Sequence, residues 1–75
     1  AKAFYNRAIV RGAKNDLQGE VDDYTEAIRL DPKYYQAYNN RGATFIDMKQ
    51  YDLAIMDTNQ AIWLKEDYTD AYYNR

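Results

Sequence analysis

Seventy-five residues with a formal net charge of −2 make one small domain, too short to bury a large core. Cysteine, histidine and serine are absent, which excludes disulfides, thiolate or imidazole metal sites and the usual serine and cysteine nucleophiles. Acids and bases are interspersed, with no basic stripe for nucleic acid or a membrane surface, and no apolar run approaches the ~18–20 residues that span a bilayer.

The first predicted helix runs from Ala3 to about Lys14. Phe4, Ala8 and Arg11 share one face, and Tyr5, Ile9 and Gly12 the neighbouring one. Asn15-Asp16 reads as a turn, because asparagine tolerates left-handed backbone and Asp16 can cap the helix that follows. The second helix covers about Leu17 to Leu30, with Leu17, Val21, Tyr24 and Ile28 as its apolar stripe and Ala27 beside it. Asp31-Pro32 ends it, since proline cannot continue a helix.

A third helix is predicted from about Gln36 to Met48, with Tyr38, Gly42 and Phe45 inward. Lys49-Gln50 is its turn, and lysine is a poorer turn former than asparagine. The fourth covers about Tyr51 to Leu64, with Tyr51, Ala54, Ile55, Ala61 and Ile62 inward. Glu66 stands where the earlier boundary has Pro32, so the stop is softer, and a short fifth helix is expected from Tyr68 to Arg75.

These elements repeat. Phe4-Tyr5-Asn6-Arg7, Tyr38-Asn39-Asn40-Arg41 and Tyr72-Tyr73-Asn74-Arg75 are spaced 34 residues apart, and Ala27-Ile28-x-Leu30 recurs as Ala61-Ile62-x-Leu64. A two-helix unit of this period cannot bury its apolar face alone, so units stack into an array. At these residues the whole chain resembles the tetratricopeptide repeat family. The second unit carries the pattern at Tyr38, Gly42, Phe45, Tyr51, Ala54 and Ala61, and the first at Phe4, Ala8, Leu17, Tyr24, Ala27 and Pro32. The resemblance implies an all-α fold, a right-handed superhelical stack of antiparallel helix-turn-helix repeats forming an α-solenoid. One domain then holds a first repeat at 1–34, a second at 35–68 and part of a third at 69–75.

Two departures fall in the first unit. Arg11 replaces a large apolar residue, and Glu20 replaces the small residue present as Ala54. Both belong where the first two helices meet, and they are expected to pair. The alternative is that both snorkel to solvent. The acids at Asp22-Asp23 and Asp67-Asp70 are expected on outer faces or at helix starts, where they complement the helix dipole. With no calcium-loop pattern and no glycine-rich phosphate loop, no enzyme activity, metal or cofactor is expected. The Asn-Arg pairs at 6–7, 40–41 and 74–75 are read two ways, as a ladder of amides lining a groove or as structural bridges between adjacent repeats; for Arg7 and Arg41 the structural reading is preferred.

In this family the first helix of each unit lines the concave surface. The resemblance therefore implies a peptide-binding or protein-binding groove of Lys2, Tyr5, Asn6, Ile9, Gly12 and Ala13 from the first unit. Gln36, Asn39, Asn40, Ala43, Ile46 and Asp47 follow from the second, and Asp70 and Tyr73 from the third. Some members clamp the terminal carboxylate of chaperone tails with lysine, arginine and asparagine. Here Tyr5, Ile9, Asp70 and Asn74 stand at those places and Asn40 alone fits, so no such tail is expected. The expected partner is a peptide or protein segment held without catalysis, with no nucleic acid and no membrane; an RNA-reading repeat would need more than the single groove lysine. The alternative is a structural element that self-associates through an open end around Ile55, Ile62 and Trp63, giving a homo-oligomer. Lack of cysteine suits a reducing cytoplasm without demanding one.

Overall fold

The computed structural model describes the backbone of residues 1–73 and the side chains through Glu66. It is all-α: α1 (Lys2–Ala13), α2 (Leu17–Leu30), α3 (Tyr35–Asp47) and α4 (Tyr51–Tyr73). Consecutive helices pack antiparallel, α1 on α2, α2 on α3 and α3 on α4. The short turns force this, because connections of three or four residues leave a helix no choice but to fold back on its neighbour.

The two hairpin turns share one device. Asn15 and Lys49 both take left-handed backbone, with φ of 61° and 62°. Asp16 N–H donates to the Arg11 carbonyl at 2.9 Å, and Gln50 N–H to the Phe45 carbonyl at 2.8 Å, closing both helix ends with a Schellman pattern. Asp16 then caps α2, accepting from the Gly19 N–H at 3.1 Å. Between the hairpins, Asp31 leaves the helix in extended backbone and its carboxylate accepts from the Lys33 N–H at 3.2 Å, so Pro32 sits in a tied-down turn.

The core has two adjoining parts. Ala8, Tyr24, Ala27 and Ala37 are buried together, with Phe4, Tyr5, Ile28 and Tyr34 packed round them. Val21, Phe45 and Ala54 form the second part, with Met48 against it. Alanine at the crossings lets the helices approach closely, and Tyr24 supplies the bulk; burying a side chain of that size contributes roughly 1.5–3 kcal/mol.

Two expectations are corrected. The fifth helix is not separate: α4 runs on through residues 65–68 to Tyr73. Neither proline nor glycine lies between Leu64 and Tyr73, so nothing in that stretch interrupts the backbone ladder. Asn74 and Arg75 lie outside the described residues. The inward face of α4 is also different. Ala54, Asp57, Ala61 and Leu64 are buried, whereas Tyr51, Ile55 and Ile62 are exposed. The helix is rotated so that an aspartate, not an isoleucine, meets α3, and the reason is an ion pair described next.

Candidate functional site

Arg7 donates from Nε and Nη2 to the two carboxylate oxygens of Asp23, at 2.8 and 2.7 Å. Arg41 makes the same bidentate contact with Asp57, at 2.7 and 2.8 Å. Both carboxylates are buried and bridge the two helices of one hairpin. Arg7 also lies over the Phe4 ring, and Arg41 over Tyr38 and Phe45. The arginines are thus structural, but they tie helices within a hairpin. Arg41 additionally reaches back to α2, donating to the Thr25 hydroxyl at 3.2 Å.

Asp23 is therefore not on an outer face, as its run with Asp22 led one to expect. The signal was present in the repeat: Arg and Asp recur together, 16 residues apart, in both units. Hydrogen bonding from Arg7 holds the Asp23 carboxyl below the usual carboxylate range, with the charges of Arg11 and Arg7 adding to it against the cost of burial. The same bonds push both Arg7 and Arg41 up, so neither loses its proton.

Arg11 and Glu20 do not pair, and neither simply snorkels. Arg11 Nε lies 3.0 Å from Asp23 and its Nη1 3.4 Å from Asp16. Glu20 faces α3, where the Thr44 hydroxyl stands 2.9 Å from its Oε1 and 3.0 Å from the Asn40 carbonyl, sharing one hydrogen between them. A buried carboxylate one turn further along α2 outcompetes the half-exposed Glu20 for the guanidinium, because the desolvated anion gains more from a second cation.

The groove residues divide. Tyr5, Gln36, Asn39 and Asn40 converge on a depression of about 280 Å³, completed by Tyr35, Ala61, Ile62 and Lys65. Ile46 lies at a separate hollow of about 270 Å³, with Tyr51, Ala54, Ile55, Thr58 and Asn59. Lys2, Asn6, Ile9, Gly12, Ala13, Ala43 and Asp47 line neither. Asp70 and Tyr73 are on α4, beyond the described side chains. A further hollow at Lys49–Leu53 takes in no predicted site residue.

Within the first depression, Tyr5 is mostly committed to the protein. Its ring stacks on Tyr34 at 5.0 Å and meets Tyr24 at 5.6 Å, and its phenol oxygen accepts from the Asn40 amide at 2.9 Å. Burial pushes the Tyr24 and Tyr34 phenols up, so these two rings stay neutral packing elements at ordinary pH. The exposed groups are the Gln36 and Asn39 amides, one turn apart on α3, with Ile62 and Lys65 one turn apart on α4.

Paired amides can hydrogen-bond an extended peptide backbone, Ile62 and Tyr35 offer apolar contact, and Lys65 offers one cation. Sequence reasoning missed Tyr35, Ala61, Ile62 and Lys65. It turned Ile62 inward and placed Lys65 in a connector, although antiparallel pairing necessarily sets the start of α3 beside the later half of α4. Among the described residues, no cluster of three acidic groups could hold a metal ion, and no helix is long and apolar enough to cross a membrane.

Two family models, both for the tetratricopeptide repeat, match this chain, one at residues 1–34 and the other at 23–56. Similar proteins include human DnaJ homolog subfamily C member 7, 35% identical over 57 residues, which are 76% of this chain and 12% of that protein. Protein STIP1 homolog of Dictyostelium discoideum is 31% identical over 72 residues, 96% of this chain and 13% of the relative. Hsp70-Hsp90 organizing protein 2 of Arabidopsis thaliana is 34% identical over 68 residues, 91% and 11% respectively. The chain thus spans only a small part of the length of these relatives.

Proposed function

The chain belongs to the tetratricopeptide repeat family, whose repeats are protein–protein interaction modules, and from that premise we propose that it holds an extended peptide segment in the depression between α3 and α4. Repeats at 1–34 and 35–68 form the module, and residues 69–73 continue α4. One observation supports the reading above the others: Tyr5, Gln36 and Asn39, all assigned to the groove from sequence, meet Ile62 and Lys65 around a single hollow. Gln36 and Asn39 bond the peptide backbone, Ile62 and Tyr35 take an apolar side chain, and Tyr5 with Asn40 forms the floor. Tetratricopeptide repeats are generally non-catalytic, and binding here requires no chemistry.

A relative named for organising Hsp70 and Hsp90 raises the question of chaperone tails. The carboxylate clamp is not the mode proposed. Tyr5 and Ile9 stand where a lysine and an asparagine are needed, and the Asn40 amide already donates to Tyr5.

The test is selection of a displayed random-peptide library against the 75-residue chain, followed by titration of a selected peptide. Asn39→Ala with Ile62→Ala, both at exposed positions, should weaken binding at least tenfold while leaving the helical circular dichroism unchanged. Ile46→Ala should bind as the parent does, and amidating the peptide's terminal carboxylate should change nothing. Full affinity in the folded double variant places the partner elsewhere, and loss on amidation restores the clamp.

A further inference from the structure

Met56 is 66% exposed and Trp63 61%, more than any other large apolar side chain among the described residues. They stand seven residues apart, so they share one face of α4, about 10 Å apart along its axis. The fold does not ask for them. Their counterparts 34 residues earlier, on α2, are Asp22 and Arg29, both exposed.

Stacking of hairpins does not cover this face. α2 is followed by a complete hairpin, α3 with α4, and still leaves Asp22 and Arg29 in solvent. α4 is preceded by a complete hairpin, α1 with α2, and still leaves Met56 and Trp63 in solvent. By the same register a further hairpin on either side leaves these positions open. Neither residue lines the hollow that takes in Ala61, Ile62 and Lys65.

One edge of the face is acidic. Asp52, Asn59 and Glu66 follow one another at the same seven-residue spacing, and all three are exposed. Among the described residues, neither carboxylate has an ion-pair partner. The corresponding face of α2 adds Asp22 and Glu26, and its Arg29 is already held by Glu26 at 2.9 Å. An apolar pair at heptad spacing with charges along its edge is what one helix shows another in a coiled coil, where the edge charges select the partner. We propose that this outer face of α4 docks an amphipathic helix of a basic protein partner. The apolar stripe of that helix covers Met56 and Trp63, and lysines or arginines along its edge reach Asp52 and Glu66. A cation beside Trp63 gains further from the indole face, and the flexible Met56 adapts to the shape laid on it. A second copy of the same face does not suit. Antiparallel pairing sets Asp52 against Glu66, and parallel pairing sets each acid against itself. An anionic membrane is repelled by the same carboxylates.

Trp63 is the one tryptophan of the chain, so its emission reports on this face directly. The probes are a synthetic amphipathic helix with a leucine stripe flanked by lysines, and its twin with glutamate for lysine, each titrated into the 75-residue chain at about 0.15 M salt. The lysine peptide should shift the emission to the blue and saturate, and the glutamate twin should bind at least tenfold more weakly. Asp52→Asn with Glu66→Lys should remove that preference. Met56→Ser and Trp63→Ala, followed by anisotropy of labelled peptide, should each weaken the lysine peptide at least fivefold. Gln36→Ala with Asn39→Ala should bind it as the parent does, which separates this face from the hollow. Circular dichroism verifies that the variants fold, and Glu66→Gln, expected to weaken the lysine peptide, replaces the charge reversal should that variant lose helix. Equal affinity for the two peptides, or loss of binding in the Gln36 and Asn39 variant, overturns the proposal. So does a blue shift that follows the chain's own concentration without peptide, which gives the face to a second copy. A shift with phosphatidylcholine vesicles alone gives it to a membrane and overturns the proposal equally.

Discussion

Asp23 in the first hairpin is gripped by two arginines, Arg7 and Arg11; Asp57 at the same place in the second is held by Arg41, and Phe45 occupies the position of the second arginine. The same exchange of means recurs nearby. Gly12 lies against the Glu20 carboxylate, so closely that a Cβ there would collide with it, whereas the second hairpin sets Ile46 and Ala54 at these places. Small against large has become large against small. The backbone frame is common to both hairpins, and the filling is polar in the first and apolar in the second. Two hairpins of one period can therefore fail under different stresses.

The largest expected difference is in the arginines. The Arg41 side chain is 18% exposed and has sole charge of a buried carboxylate, while that of Arg7 is 55% exposed and Arg11 stands ready beside Asp23. Arg41→Ala should lose about 3 kcal/mol, the scale for stranding a buried charge. Arg7→Ala should cost clearly less. Urea unfolding followed at 222 nm compares them, and equal losses would mean that Arg11 gives Asp23 no support.

Glycine replacement should separate the hairpins next. A Cβ on Gly42 meets the Ala54 carbonyl at 3.2 Å and Asp57 Cβ at 3.3 Å, neither of which can swing away. Gly42→Ala should therefore destabilise by roughly 1–2 kcal/mol. Gly12→Ala displaces only the end of the flexible Glu20 side chain and gains about 1 kcal/mol of helix propensity, so its net effect should be near zero.

Acid should act through Asp23. Its folded-state carboxyl is held below the usual carboxylate range, so the stability it contributes is fully present above the unfolded pKa and is lost as pH falls through the folded one. Asp23→Asn should flatten the acid limb of the unfolding free energy measured between pH 5 and pH 2, at about the values where carboxylates titrate. An unchanged slope would move the acid sensitivity to other carboxylates.

The smallest effect concerns the turns. Lys49 adopts the left-handed backbone that Asn15 adopts. Lys49→Asn should raise stability by about 0.5 kcal/mol, because asparagine takes this conformation more readily. A thermal midpoint that does not rise would show that the Schellman bonds alone hold the turn.

Much of the fold was legible in the sequence. The period, the helices through Met48, the Asp16 cap and the turn at Asn15 are local statements, written within a few residues by propensity and capping. The face of α4 was not legible, because Ile55 and Ile62 at helical spacing look like core until the Arg41–Asp57 bond sets the rotation. The site was half legible. Tyr5, Gln36 and Asn39 share their hollow as the repeat register implied, yet the Tyr5 phenol is taken by Asn40, 35 residues away.

By itself the sequence determined a two-helix unit repeated every 34 residues, the all-α class and the positions of both hairpin turns. Tertiary structure alone decided that Arg11 turns to Asp23, that Glu20 turns to Thr44, and that Ile62 and Lys65 border the candidate groove. The reason is the range of the forces that choose. Backbone geometry is settled within one turn of helix, whereas a long charged side chain has several partners in reach, and burial decides among them only once the helices have packed.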